Sequence, residues 1–176
     1  MTSAPDDRQA DGPLVPSDRP LVLSIDAMGG DRGPATIVAG ISTFAAKNRD
    51  ARFLLHGPEA ELLGLVEKRR NLRGRVEVRD TSGVVSMEDK PSHVMRNGQN
   101  TSMWSTLDAV RNGEATVAVS CGNTGALMLL SMVRLRKLPG VNRPAIAVLW
   151  PSRNPQGFNV MLDVGADIRA DADDLL

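Results

Sequence analysis

The chain has little of three things that mark common classes of protein: cysteine, aromatic residues and charge of one sign. It has one cysteine among 176 residues, which excludes a framework of intrachain disulfides. Aromatic residues make up 3% of the chain and tyrosine is missing, which argues against a platform for stacked bases. Lysine and arginine total 21 and aspartate and glutamate total 21, so the net charge is zero. Without a basic excess, we expect no nucleic-acid partner.

Long apolar runs are missing as well, since no segment of the sequence approaches the length that crosses a bilayer. Residues 1–20 are rich in aspartate, proline and serine and lack the apolar core of a signal peptide, which predicts a disordered extension. The last five residues, from Ala172, have the acidic first turn of a helix without an end signal. We therefore expect residues 21–176 to be the N-terminal part of a single, longer α/β domain.

Within residues 21–176, short apolar strands alternate with amphipathic helices. This alternation predicts a three-layer α/β/α fold with a mostly parallel, Rossmann-like sheet. Ligands of such sheets bind beyond the carboxyl ends of the strands, which directs attention to residues 26 and 120. The predicted strands are 21–26, 52–56, 75–79, 115–120, 145–150 and 159–163, and the predicted helices are 33–48, 59–69, 91–96, 102–111 and one that begins at residue 125.

The turn Gly122-Asn123-Thr124-Gly125 joins the strand 115–120 to the following helix. Backbone N–H groups at such a helix start are unpaired and suit an anion, above all a phosphate. A G-x-x-G spacing is also common in turns that only bring a strand and a helix close together. On the turn alone, an anion site and a purely structural turn are equally weighted. Neither of the glycine-rich nucleotide-binding motifs, G-x-x-x-x-G-K-[ST] and G-x-G-x-x-G, is present.

The loop after the first strand contains Asp26, Gly29, Gly30 and Asp31. The glycines would let a ligand approach the backbone, and a carboxylate could hold a metal or orient a substrate. The alternative is that Asp31 caps the next helix and the glycines form the turn. We favour that alternative over a metal, because a metal site usually needs more ligands.

A second polar group of residues comprises Lys90, His93 and Arg96, followed by Thr101 and Ser102. If a helix begins at residue 91, His93 and Arg96 share a face of it. Lysine and arginine would balance the charge of a phosphate. A solvated charged loop is the alternative, with Thr101 and Ser102 as N-cap residues of the next helix.

Three further side chains near strand ends allow weaker interpretations. His56 follows an apolar strand and is expected to be structural. Cys121 precedes a helix start, a position that lowers the pKa of a thiol and would suit a nucleophile. No histidine neighbours it in sequence, so we favour the interpretation that it is a small residue that fills the turn. Asp163 lies at another strand end and could face the same crevice.

Together these blocks resemble one family, the bacterial phosphate acyltransferases that form acyl phosphate from acyl carrier protein. The resemblance covers 21 to about 165 and departs from the family at Cys121, where alanine is usual, and at Asp167, where asparagine is usual. Family members are also much longer. The blocks that carry the resemblance are 25–31 with Gly33-Pro34, 90–96 with 101–103, 120–128, 142–145 and 162–166.

The resemblance implies a phosphotransacetylase- and isocitrate-dehydrogenase-like fold and a reaction of acyl carrier protein thioester with inorganic phosphate. It further implies a cytoplasmic homodimer, no cofactor or metal, and possible contact with the membrane and a glycerol-phosphate acyltransferase through the remaining half. The implied catalytic residues are Lys90, His93, Arg96 and Asn123, and the implied binding residues are Asp26, Gly29, Gly30, Ser102, Gly122, Thr124, Gly125 and Asp163.

In this scheme phosphate is itself the nucleophile, so that no serine or cysteine triad is needed. Two other functions stay open on the sequence. One is a phosphotransacetylase-like enzyme that uses acetyl-coenzyme A, and the other is a fragment that binds phosphate or a partner without turnover.

Overall fold

The computed structural model describes residues 20–137, 139, 141 and 145–162. Four parallel strands form one sheet in the order β3-β2-β1-β4. The strands are β1 Val22–Asp26, β2 Arg52–Gly57, β3 Val76–Asp80 and β4 Val117–Val119, and the helices are α1 Gly33–Lys47, α2 Glu59–Glu67, α3 Pro91–Asn97, α4 Ser102–Arg111 and α5 Thr124–Arg134. Short 3₁₀ turns lie at Arg70–Leu72 and Gly98–Asn100.

One face of the sheet is apolar and packs on α1 and α2. Alternate residues of β1 and β2 point to this face, as the period of two in a strand requires. Burying these side chains is the main favourable contribution to folding on this side. The cluster includes Ile25 from β1, Phe53 and Leu55 from β2, Val38 and Ile41 from α1, and Leu62 from α2.

The opposite face of the sheet is partly polar and is covered by α4. Ser24, Asp26 and His56 are all buried, and Leu54 packs there with Ala109 of α4. Helices on both faces of a parallel sheet confirm the predicted three-layer α/β/α arrangement.

A short chain of hydrogen bonds joins the sheet to α4 through His56. The Ser24 hydroxyl donates to the Thr106 carbonyl at 2.9 Å, so its oxygen accepts from His56 Nε2 at 2.8 Å. His56 Nδ1 then accepts from the Ser105 hydroxyl, also at 2.8 Å. Burial lowers the pKa of His56 from 6.5 to about 4, assisted by the nearby Arg79 charge and opposed by Glu114. His56 is therefore a neutral structural group, as the sequence indicated.

Helix α5 packs on α4, and α3 packs on α5, which completes the third layer. Their shared apolar cluster includes Val94, Met103, Leu107 and Leu130. At the surface of this cluster, the Arg134 guanidinium lies 4.7 Å from the centre of the Trp104 ring. Its Nε also donates to Asp108 Oδ1 at 2.7 Å, which fixes α5 against α4.

The last two strands differ from the prediction of repeated strand–helix units. The strands β5 Ala147–Pro151 and β6 Phe158–Leu162 pair antiparallel with each other and form a separate two-stranded sheet. The physical reason is the connection, because only six residues (152–157) join the strands. Such a link suits a hairpin, whereas a parallel crossover needs a dozen or more residues.

The order of the four parallel strands reverses next to β1. The chain moves outward from β1 to β2 and β3, and then returns to place β4 on the other side of β1. The loops that follow β1 and β4 therefore leave in different directions and open a crevice, here called the switch-point crevice, at a place where α/β proteins bind ligands. The predicted extension 1–20 lies outside the described residues except for Pro20, as do Asp163 and Asp167.

Candidate functional site

Two loops line the switch-point crevice and are joined by the carboxylate of Asp26 at the end of β1. Asp26 is 2% exposed. Its Oδ2 accepts a hydrogen bond from the Ser120 hydroxyl, beyond the end of β4, at 2.7 Å. Its Oδ1 accepts from the Met28 amide at 3.2 Å. The Ser120 oxygen in turn accepts from the Gly122 amide at 3.1 Å, so that one buried carboxylate shapes both loops.

Gly29 stands where the two loops touch. A Cβ atom on Gly29 would lie 2.8 Å from Asp26 Oδ2, from the Gly122 nitrogen and from the Ser120 hydroxyl. The group that lies close to Gly29 is thus the turn after β4, and the approach of a ligand to this glycine stays a prediction. Gly30 has a φ of +100° and faces Cys121, so a side chain there would be strained. No side-chain cap from Asp31 is present, because the N-cap residue of α1 is Arg32.

Asn123 is the N-cap residue of α5 and is 8% exposed. Its Oδ1 accepts from the Ala126 amide at 3.0 Å. Its Nδ2 donates to the carbonyl oxygens of Ser86 and Met87 at 3.1 Å and of Asp89 at 3.0 Å. The predicted contact of this side chain with phosphate stays a prediction, and its polar atoms are already bonded within the protein.

Free donors remain at the start of α5. The amides of Asn123, Thr124 and Gly125 have no hydrogen-bond partner among the residues that the structure describes, whereas the Gly122 amide is used by Ser120. Such unpaired amides carry the partial positive charge of a helix N-terminus. Of the three residues, Thr124 is exposed, Gly125 is half-buried and Asn123 is buried.

The start of α3, which follows Lys90, lies close to the start of α5. A Cβ on Gly125 would lie 3.1 Å from Pro91, which means that the first turns of α3 and α5 nearly touch. Lys90 is the N-cap residue of α3 and is exposed, and it forms no ion pair within the described part of the chain. His93 and Arg96 are exposed on α3, where Arg96 Nε donates to the Ser92 carbonyl at 3.3 Å. The structure thus brings Lys90 to the turn.

The turn before α3 is closed by its own side chains. Asp89 Oδ2 accepts from the Ser86 amide at 2.8 Å, and the Ser86 hydroxyl donates to the Glu88 carboxylate. That hydroxyl is the main cause of a lowered pKa at Glu88.

Two other predicted residues lie differently. Ser102, at the start of α4, is 1% exposed, and its hydroxyl has no hydrogen-bond partner in the described structure. Thr101 is the N-cap residue there and accepts from the Trp104 amide, as predicted. Asp163 lies outside the described residues.

A pocket of about 300 Å³ lies beside the crevice, lined by residues 29–33, Thr36, Ile37 and Cys121. Cys121 is exposed, and no hydrogen bond joins it to either histidine in the described residues. The described residues also contain no group of three or more histidine, cysteine or acidic side chains placed to hold a metal ion.

The sequence interpretation did not assign a role to Ser120, although this residue connects the two loops. The available signal was its position as the first polar residue beyond the apolar strand β4, which forms an edge of the sheet. It also missed the contact between Asn123 and the turn at 86–89. No local pattern could reveal that contact, since the partners are 34 to 37 residues apart.

The chain is a doubly wound α/β protein with unpaired helix-start amides at its switch point, an arrangement that suits an anionic ligand. Comparison with known proteins then gives the family. The family model described as "Fatty acid synthesis protein" matches residues 21–176, and the chain belongs to this family.

Several curated relatives carry the name phosphate acyltransferase. The protein of Paracoccus denitrificans is 70% identical over 165 residues, which are 93% of this chain and 45% of the relative. Those of Ruegeria sp. and Roseobacter denitrificans are 73% and 67% identical, covering 90% and 94% of this chain and 42% and 46% of theirs. The chain thus spans less than half the length of these relatives. Among the described helices, none has the length and apolar character to span a membrane.

Proposed function

We propose that this chain forms part of a phosphate acyltransferase that transfers an acyl group from acyl carrier protein to inorganic phosphate. The product would be an acyl phosphate for phospholipid synthesis. Family membership and the names of the relatives support this activity. The observation that carries it is the set of three unpaired amides at the start of α5, next to the segment that bears Lys90.

The reaction needs no nucleophile from the protein, because phosphate can supply it. A phosphate oxygen attacks the thioester carbonyl carbon, the carbon–sulfur bond breaks, and the thiolate leaves. Hydrogen phosphate provides the proton that the thiolate takes up, so that the products are acyl phosphate and the free thiol. The protein contributes orientation and electrostatic stabilisation.

We assign the phosphate to the backbone amides of Asn123, Thr124 and Gly125. Lys90 and Arg96 would balance its charge, and His93 would carry the proton to the leaving thiolate. Gly122 would shape the turn.

The remaining assigned residues act around this centre. Asp26, Gly29 and Gly30 would hold the two loops in register. Ser102 and Asp163 stay assigned to substrate binding on the strength of the sequence resemblance.

The test uses the full-length protein, acyl carrier protein thioester and phosphate. Arg96→Ala and Lys90→Ala are expected to raise the KM for phosphate by about tenfold each, since each removes a charge-assisted contact. Arg73→Ala removes an exposed arginine away from the crevice and serves as the matched control. Wild-type phosphate dependence in both site variants would refute the assignment of these residues.

The same assay examines the acyl donor and the partners. Replacing acyl carrier protein with acetyl-coenzyme A should abolish most turnover, and equal turnover would favour the phosphotransacetylase-like alternative. We further propose a cytoplasmic homodimer that meets the membrane and a glycerol-phosphate acyltransferase through the part of the relatives that this chain does not span. Sedimentation of the full-length protein with and without vesicles tests the dimer and the membrane contact.

A further inference from the structure

The side chain of Asn123 donates hydrogen bonds to three carbonyl groups of one turn, residues 86–89. An asparagine amide has two N–H bonds, so at least one hydrogen is shared among the carbonyls of Ser86, Met87 and Asp89. The amide is buried, where hydrogen bonds are poorly replaced by water. A single side chain therefore supplies all the hydrogen bonds that join residues 86–89 to α5 in the described residues.

The other hydrogen bonds of this turn are internal. The Ser86 amide bonds to Asp89, the Asp89 amide bonds to the Ser86 carbonyl at 3.3 Å, and the Glu88 amide bonds to the Ser86 hydroxyl at 3.2 Å. These bonds shape the turn but do not attach it to α5. Within the described residues, the hydrogen bonds between the turn and α5 come from Asn123.

We propose that Asn123 is a positioning residue that sets the distance between the Lys90 side chain and the three free amides of α5. Lys90 follows the turn directly, and the free amides begin at Asn123 itself. One side chain thus fixes both halves of the anion site. This inference rests on the proposed phosphate site and assigns Asn123 a role in arranging it, in place of contact with the ligand by its side chain.

Two substitutions separate the two bonding functions of this side chain. Asn123→Ser keeps an oxygen that can cap α5 and loses the bonds to the three carbonyls. Asn123→Asp also keeps the cap, and it places a carboxylate against those carbonyls, which repels the turn. Asn71→Ser is the matched control, because Asn71 also joins two segments, through the Ser42 hydroxyl and carbonyl, before β3 begins.

The experiment measures hydrogen exchange and phosphate affinity of the full-length protein. Asn123→Ser should speed exchange of the hydrogen-bonded amides of residues 86, 88 and 89 by about tenfold, as expected for the loss of one or two net hydrogen bonds, and leave amides 128–134 of α5 unchanged. The dissociation constant for inorganic phosphate, measured by calorimetry, should rise by about tenfold in Asn123→Ser and further in Asn123→Asp. The control should change neither quantity.

The outcomes are distinguishable. Unchanged exchange at residues 86, 88 and 89 in Asn123→Ser overturns the positioning role, and so does faster exchange with unchanged phosphate affinity. Exchange and affinity that change together support it. If the wild-type protein binds phosphate but forms no acyl phosphate, the proposed reaction fails while these two measurements still decide the role of Asn123.

Discussion

Acidification from pH 7 to pH 5 is expected to destabilise the protein through one buried side chain, His56. Its ring donates to Ser24 and accepts from Ser105, and burial lowers its pKa from 6.5 to about 4. Between these two values the unfolded chain binds a proton that the folded chain does not bind. Stability is therefore complete above pH 6.5 and is lost as the pH falls towards 4.

The size of the loss follows from the two pKa values. One proton of difference changes the free energy of unfolding by at most about 1.4 kcal/mol per pH unit. From pH 7 to pH 5, His56 alone costs about 2 kcal/mol, and the cost levels off near about 3 kcal/mol below pH 4. For a domain of ordinary stability, this is a substantial fraction of the total.

Urea unfolding of the full-length protein at pH 7 and pH 5 measures this loss. His56→Gln is less stable at both pH values, but it should lose about 2 kcal/mol less than wild type on acidification. His93→Gln removes an exposed imidazole and serves as the control. It should lose as much stability on acidification as wild type does. An NMR titration of labelled histidine, with the His56 signal assigned by its disappearance in His56→Gln, gives the pKa directly. A measured His56 pKa above 6, or equal pH dependence in wild type and His56→Gln, would refute the reasoning.

Two further predictions concern packing and buried carbonyl groups. Gly29→Ala should cost about 1–3 kcal/mol in urea unfolding, because its Cβ would lie 2.8 Å from three polar atoms of the two loops. Gly64→Ala, in α2 with open space around it, should instead stabilise by about 0.5–1 kcal/mol, and equal effects would contradict the packing argument. Arg75→Met should cost about 2 kcal/mol, because the guanidinium donates to the carbonyl of Ala45 near the end of α1 and to that of Ala51 in the loop before β2. The exposed Arg73→Met should change stability by less than about 0.5 kcal/mol, and a similar loss in both variants would argue against that role.

Local sequence signals were sufficient for most elements of the fold. The helix Ser102–Arg111 was predicted with its observed bounds, because a threonine precedes it and Asn112-Gly113 follows it. β4 is shorter than predicted, since the amides of Glu114 and Ala115 bond back to the Ala109 carbonyl at the end of α4. That contact is tertiary, and apolar residues alone do not reveal it.

The pairing of strands was harder to predict than their existence. The hairpin of β5 and β6 had a readable signal in its short connection, which the prediction of strand–helix units overrode. The order β3-β2-β1-β4 has no local signal, because it depends on where each crossover helix packs.

In the candidate site, too, the general location could be predicted from the sequence and the individual contacts could not. The importance of the ends of β1 and β4 followed from the general behaviour of parallel sheets. The hydrogen bonds of Asn123 and Ser120 did not, because their partners are distant in sequence.

The central place of β1 has a consequence for how the protein is made. Ser24 bonds to a residue 32 positions later, in β2, whereas Asp26 bonds to a residue 94 positions later, beyond β4. A nascent chain can therefore pair β1 with β2, and β2 with β3, well before β4 has been synthesised. Until β4 arrives, one edge of β1 is an unpaired row of backbone groups, and the crevice has only one of its walls. Because such distant pairing forms late, we expect ribosome-bound chains of increasing length to gain phosphate affinity abruptly once α5 has emerged.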